Sequence, residues 1–267
     1  MTRVLTAALL LPILWLTIKL APPALFLGVA FVAAGLATWE CYTLLDGLGL
    51  RPFKLLGVLA GGAVVLSFFA ADGAAPALPL VAATIVASTL ALVRRPGPRE
   101  MLDTALGTLF PLLFVALTLG YVVGLRRMPN EDGQDLLLLL FLCAICADTA
   151  AYYVGSAFGR HRLAPHVSPR KSWEGVAAGG AGSVLGALLA HVWFYQRLPL
   201  GHALALGVLL AASGILGDLA ESVIKRAAGA KDSSGLLPGH GGLLDRVDSL
   251  LFSAPLLYYY YNVLLRP

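Results

Sequence analysis

Asp218, Glu221, Ser222 and Lys225 lie close together in an otherwise apolar run. Spaced at i, i+3, i+4 and i+7, they share one face of a helix. A charged side chain inside a spanning helix is costly and normally faces a cavity, a partner or an ion. The polar segment that follows is dense: Lys225-Arg226, Lys231-Asp232, Pro238-Gly239-His240-Gly241-Gly242 and Asp245-Arg246-Val247-Asp248. Lys and Arg suit phosphate oxygens, and glycines let backbone amides approach an anion. Carboxylates beside them suit Mg²⁺, a hard cation that often joins a protein to substrate phosphates. Together these residue types fit a metal–nucleoside triphosphate. The blander readings are a structural ion pair for Asp218, a turn role for His240 and a solvated basic loop for the rest. Neither a P-loop nor a G-x-G-x-x-G pattern occurs, so the familiar soluble nucleotide cradles are absent.

A second polar segment reads Gly159-Arg160-His161-Arg162, Pro165 and Ser168-Pro169-Arg170-Lys171-Ser172-Trp173-Glu174-Gly175. Ser168-Pro169 and Ser172 predict a turn leading into a helix whose first amides could bind an anion. Lys171 would add charge toward a phosphate, and Glu174 would cap the helix or touch metal. The alternative is a basic loop drawn to anionic lipid headgroups. Upstream, Asp148 sits in the apolar stretch 142–153, on one helical face with Tyr152 and Gly155. It is a candidate metal ligand or one half of a structural ion pair.

These residues need a scaffold, and the composition names its class. Of 267 residues, 58% are hydrophobic and 13% are charged, and the mean hydropathy is +0.82. Soluble domains carry about 25% charged residues, so this chain reads as a membrane protein. The expected fold is all-α, a polytopic transmembrane helical bundle. Nine segments are long and apolar enough to span, at about 4–20, 23–45, 54–71, 74–93, 101–124, 136–158, 175–196, 202–224 and 249–265. The first resembles a signal peptide without a clear cleavage site and is read as an uncleaved helix. Residues 1–130 form an N-terminal transmembrane part, and 131–267 a C-terminal part that carries the polar segments.

Nine spans place fourteen of the nineteen Lys and Arg residues on the side of the N-terminus. That side is therefore cytoplasmic, and both polar segments face the cytoplasm. The net charge of +4 and pI of about 9.0 follow from this topology and call for no nucleic-acid partner. Cys143 and Cys146 form C-x-x-C inside an apolar run, where packing explains them better than metal or redox chemistry.

Ser222-Val223-Ile224-Lys225-Arg226, Lys231-Asp232 and His240-Gly241-Gly242-Leu243-Leu244-Asp245-Arg246-Val247-Asp248 fill every fixed position of one long pattern. The pattern is S-x-x-K-R-x4-K-D followed by H-G-G-x-x-D-R-x-D, and it resembles the signature of the phosphatidate cytidylyltransferases, or CDP-diacylglycerol synthases. Asp148, Ala151-Tyr152, Gly155, Phe158-Gly159-Arg160, Ser168-Pro169, Lys171-Ser172 and Glu174-Gly175 are similar to the same family. Ser156 departs from it, standing where a basic residue is common. The strong likeness covers about 148–250; the first five spans resemble the family mainly in hydropathy.

The resemblance implies that CTP and phosphatidic acid become CDP-diacylglycerol and pyrophosphate. It also implies Mg²⁺, with a second divalent or monovalent cation as an option, and a homodimer in the lipid bilayer. A bacterial plasma membrane is the expected location. On this reading Asp218 and Asp245 lead as metal ligands, followed by Asp248 and then Asp148, with the intervening loop folded back between the first two. Lys225, Arg226, Lys231 and Arg246 would hold phosphates, and Ser222 would assist. Asp232, His240, Gly241 and Gly242 would shape a nucleotide cradle, and Ser168, Lys171 and Ser172 would complete the phosphate site. The rivals are a CTP-dependent prenol or dolichol kinase, a related synthase acting on ether lipids, and a transporter. The transporter predicts polar residues spread over both sides of the membrane.

Overall fold

The computed structural model describes residues 15–70, 76–129, 131–236 and 241–266. Among them helices dominate: α1 (Pro23–Gly47), α2 (Lys54–Ala70), α3 (Ala77–Arg94), α4 (Pro98–Pro111), α5 (Thr118–Arg126), α6 (Asp132–Phe158), α7 (Trp173–Trp193), α8 (Leu200–Ala227) and α9 (Leu244–Tyr260). Eight of the predicted apolar segments fall on these helices. Most of the first, 4–20, lies outside the described residues. Among the described residues six helical stretches are long and apolar enough to cross a membrane: Pro23–Gly47, Ala77–Arg94, Pro98–Arg126, Asp132–Phe158, Trp173–Trp193 and Leu200–Ala227. α2 is apolar but shorter, at 17 residues. Large apolar side chains such as Leu78, Val93 and Val192 point outward, as lipid-facing positions should.

Helix starts and breaks follow local chemistry. Proline occupies the first turn of α1 and of α4, where its missing N–H costs nothing. Pro111 ends α4 because it cannot donate to the ladder, and the backbone widens into a π-helical segment, Leu112–Leu117, before α5.

The chain divides into two compact units. The first is Met1–Arg127 with Ile224–Val247, so the middle of the signature segment, Lys225 to Arg246, is grouped with the early helices. Its interior is pinned by Tyr42, whose Oη donates to the Thr108 carbonyl at 2.5 Å, while Thr108 Oγ1 accepts the Phe53 amide at 2.9 Å.

The second unit is Met128–Val223 with Asp248–Pro267. Its backbone is the α6–α7 pair, brought together along glycines of α7. A side chain at Gly182 would collide with the Cys146 carbonyl, and one at Gly186 would crowd the Leu142 carbonyl. Close approach through small residues is how helices pack where lipid removes the hydrophobic drive. Cys143 and Cys146 lie on this seam as free thiols, Cys143 Sγ being 3.5 Å from the Ser183 carbonyl oxygen. At the other end of α6, Arg197 binds Asp132 and Asp135, each at 2.8 Å, and Tyr261 donates to Asp132 at 2.7 Å.

The one departure from all-α among the described residues is an antiparallel hairpin, β1 (Arg162–Ala164) with β2 (Ser168–Ser172). It pairs Arg162 with Ser172 and Ala164 with Ser168, and occupies the segment expected to be a turn.

Candidate active site

In the second unit the site is built on α8. Asp218 and Glu221, three residues apart, lie on one face, and the second turn of α9 brings Asp248 to them. Gly217 makes that possible, since any side chain there would strike the Asp248 carbonyl oxygen. Asp218, Glu221 and Asp248 each offer a carboxylate oxygen, and the three oxygens lie within 4.8 Å of one another. Glu221 is fully buried. Burial first, and then the neighbouring Asp218 and Glu221 charges, push the Asp248 carboxyl well above its ordinary range. A cation between the three acids removes that repulsion, and carboxylate oxygen is the donor a hard divalent ion takes.

Two polar side chains flank the cluster. Ser222 Oγ donates to Asp218 Oδ1 at 3.4 Å, one helical turn away. Lys171 Nζ, carried by β2, sits 2.5 Å from Asp218 Oδ2. The hairpin holds Lys171 there through its junction with α7. Ser172 is the N-cap of that helix and accepts the Gly175 amide at 3.2 Å. Glu174 receives the Arg160 and His161 amides, each at 3.2 Å, and contacts His161 Nδ1 at 2.6 Å. Ser168 is half-buried at the start of β2, opposite Ala164, and Asp148 is exposed on α6.

In the first unit Asp245 is the hub. Its Oδ1 lies 2.5 Å from Lys225 Nζ. Its Oδ2 accepts the amides of Ser233 and Gly242 and the Ser233 hydroxyl, each at 2.8 Å. Burial pushes this carboxyl up, but the Lys225 ammonium and then the Gly242 and Ser233 donors outweigh it and hold the group at about 2. Asp245 and Asp248 both precede the ninth predicted span, 249–265.

Two glycines admit the arrangement. Gly241 has φ +75°, and a Cβ on Gly242 would overlap Ser233 Oγ and the Glu40 carboxylate. Glu40, a buried acid of α1, accepts the amides of Leu243 and Leu244 at 3.0 and 2.8 Å. It also accepts the hydroxyls of Ser234 and Ser233 at 2.6 and 2.9 Å. Lys231, Asp232, Arg226 and Arg246 are exposed around this loop, and Arg226 donates to the Ala230 carbonyl at 3.1 Å. Pro238, Gly239 and His240 lie outside the described residues.

Of the residues singled out by sequence, then, Asp218, Ser222, Asp248 and Lys171 form one group in the second unit. Lys225, Asp245 and Gly242 form another in the first. Two further residues belong to these groups to which sequence reasoning gave no site role. Glu221 carried a signal in its i+3 spacing from Asp218. Glu40 carried only the anomaly of an acid inside an apolar run.

Comparison with known proteins agrees with the pattern. The profile of the cytidylyltransferase family matches residues 1–264. The phosphatidate cytidylyltransferase of Haemophilus influenzae is 43% identical over 166 residues, covering 57% of this chain and 57% of the relative. That of Synechocystis sp. is 47% identical over 135 residues, covering 50% and 45%. That of Mycobacterium tuberculosis is 37% identical over 159 residues, covering 60% and 48%. The chain spans about half the length of the curated relatives it matches. With the profile matched over nearly its whole length, the chain belongs to the cytidylyltransferase family.

Proposed function

We propose that this chain is a multi-pass membrane phosphatidate cytidylyltransferase. An oxygen of the phosphatidic acid phosphate attacks the α-phosphorus of CTP. The bond from that phosphorus to the β-phosphate oxygen breaks, and pyrophosphate leaves with the electron pair. The products are CDP-diacylglycerol and pyrophosphate. The lipid phosphate is already an anionic nucleophile, so no strong general base is needed. The difficulty is electrostatic, and such transfers depend on positioning and charge stabilisation.

The observation that carries this reading is the acidic trio, Asp218, Glu221 and Asp248, with three carboxylate oxygens within 4.8 Å of one another. These residues would hold Mg²⁺, with a second divalent or monovalent cation as an option, and Asp148 is the reserve ligand. When bound, the metal supplies positive charge against the phosphate oxygens and orients them. Lys171 neutralises Asp218, and Ser222 orients it. Asp245, with both oxygens engaged by Lys225, Ser233 and Gly242, keeps the signature loop in shape. Its proposed part is to position that loop, ahead of metal binding. Lys225, Arg226, Lys231 and Arg246 supply positive charge for substrate phosphates. Asp232, His240, Gly241 and Gly242 belong to the nucleotide cradle, and Ser168 and Ser172 support the hairpin that carries Lys171.

The proposed topology has nine spans, the N-terminus and both polar segments in the cytoplasm, and a bacterial plasma membrane as the location. The excess of Lys and Arg on one side supports it. The active form is a homodimer. The test is purified protein with phosphatidic acid, Mg²⁺ and CTP labelled in the base. Label must enter the lipid as pyrophosphate is released. Release of CDP without labelled lipid would make the chain a CTP-dependent kinase and end the proposal.

A further inference from the structure

We infer that Glu40 is a positioning residue for CTP, acting from α1 on the signature loop. The deduction rests on the cytidylyltransferase reading above. A helix leaves its first amides without intrahelical partners, and a carboxylate near them is favoured by the helix dipole. At the start of α9 those amides are those of Leu243 and Leu244, and both are taken by Glu40, at 3.0 and 2.8 Å. The same two oxygens accept the Ser234 hydroxyl at 2.6 Å and the Ser233 hydroxyl at 2.9 Å. Ser233 in turn donates its amide to Asp245 at 2.8 Å. One buried carboxylate therefore ties both ends of the loop, 233–234 and 243–244, to the same point of α1.

The chemistry of the loop says which substrate feels this. Lys231, Asp232 and Arg246 around it are exposed, so a water-soluble polyanion can reach them. Of the two proposed substrates, CTP is the soluble one and carries more phosphate charge. Among the described residues Glu40 takes hydrogen bonds from these loop and helix-end groups, so its effect on CTP passes through the loop. A glutamine in its place keeps the shape but offers one acceptor oxygen and turns an NH₂ group toward donors, so the loop loses an anchor.

The experiment compares wild type with Glu40→Gln in detergent. The KM for CTP should rise on the order of tenfold, the usual size for losing charge-assisted hydrogen bonds. The kcat and the KM for phosphatidic acid should stay within about twofold in protein that remains folded at the assay temperature. Adding Ser234→Ala to Glu40→Gln should raise the KM for CTP little further, because the two act through one contact. An unchanged KM for CTP in folded Glu40→Gln, or equal damage to both substrates, overturns the inference. If Glu40→Gln does not fold, Ser234→Ala alone must raise the KM for CTP about threefold, and no change there overturns it. Wild-type protein that does not turn over CTP defeats the reaction assignment instead. The anchoring is then read by amide exchange, which must quicken at Leu243 and Leu244 in Glu40→Gln; equal exchange rates overturn it.

Discussion

Lys171 on β2 and Asp218 on α8 meet with Nζ and Oδ2 2.5 Å apart. The ammonium sits on a carboxylate that belongs to the acidic trio, so it competes with any cation that trio binds. Lys171→Met should therefore tighten apparent Mg²⁺ affinity several-fold while lowering turnover, since substrate phosphate loses a positive neighbour. A Mg²⁺ titration of activity in the variant and wild type checks both signs. Unchanged or weaker apparent Mg²⁺ affinity in the variant would contradict the competition.

Removing one acid at a time from the trio should be far more damaging. Asp218→Asn, Glu221→Gln and Asp248→Asn are each expected to cost at least about a hundredfold in kcat/KM, as several kcal/mol of charge stabilisation are lost. Melting temperatures of Glu221→Gln and Asp248→Asn should hold or rise, because each change relieves carboxylate repulsion, whereas Asp218→Asn also gives up its ion pair with Lys171. Near-normal turnover in all three folded variants would remove the metal assignment.

Gly217 sets how near α9 comes to α8. Gly217→Ala puts a methyl group into the Asp248 carbonyl and should cost about 1–3 kcal/mol of stability, with a parallel fall in activity. Gly214→Ala is the control, because its new methyl would sit 3.6 Å from Ser249 Cβ, an ordinary contact. Thermal unfolding of the two variants side by side should separate them.

The pH response of Asp245 has a fixed sign. Its carboxyl is held at about 2, below the ordinary value of about 3.9. The ionised form is thus favoured in the folded protein, and the gain is complete above about pH 4. It fades as pH falls from about 4 toward 2. Wild type should be more stable than Asp245→Asn at pH 6, and the gap should close with acidification through that window. A gap independent of pH would mean the Lys225 contact contributes through shape rather than charge.

The apolar runs were readable because a helix in lipid must carry about twenty nonpolar residues, and a run such as 136–158 has no other use. The grouping of Asp218 with Glu221 was readable too, since helical spacing alone puts them on one face. Asp248 and Asp218 were both named as ligands, but Glu221 was not placed between them, because Gly217 shows its purpose only when α9 is seen against α8. The β1–β2 hairpin escaped because a three-residue strand opposite Ser168–Ser172 has neither alternation nor a β-rich composition. Glu40 escaped because the groups it binds lie about 200 residues later, and no local pattern reports a partner at that distance.

That long reach from α1 to the start of α9 has a consequence for how the chain can be cut. Severed between α5 and α6, the protein would leave Glu40 on one piece and Ser233, Leu243 and Leu244 on the other. Neither piece made alone would own a finished nucleotide loop, whereas co-synthesised pieces would complement each other.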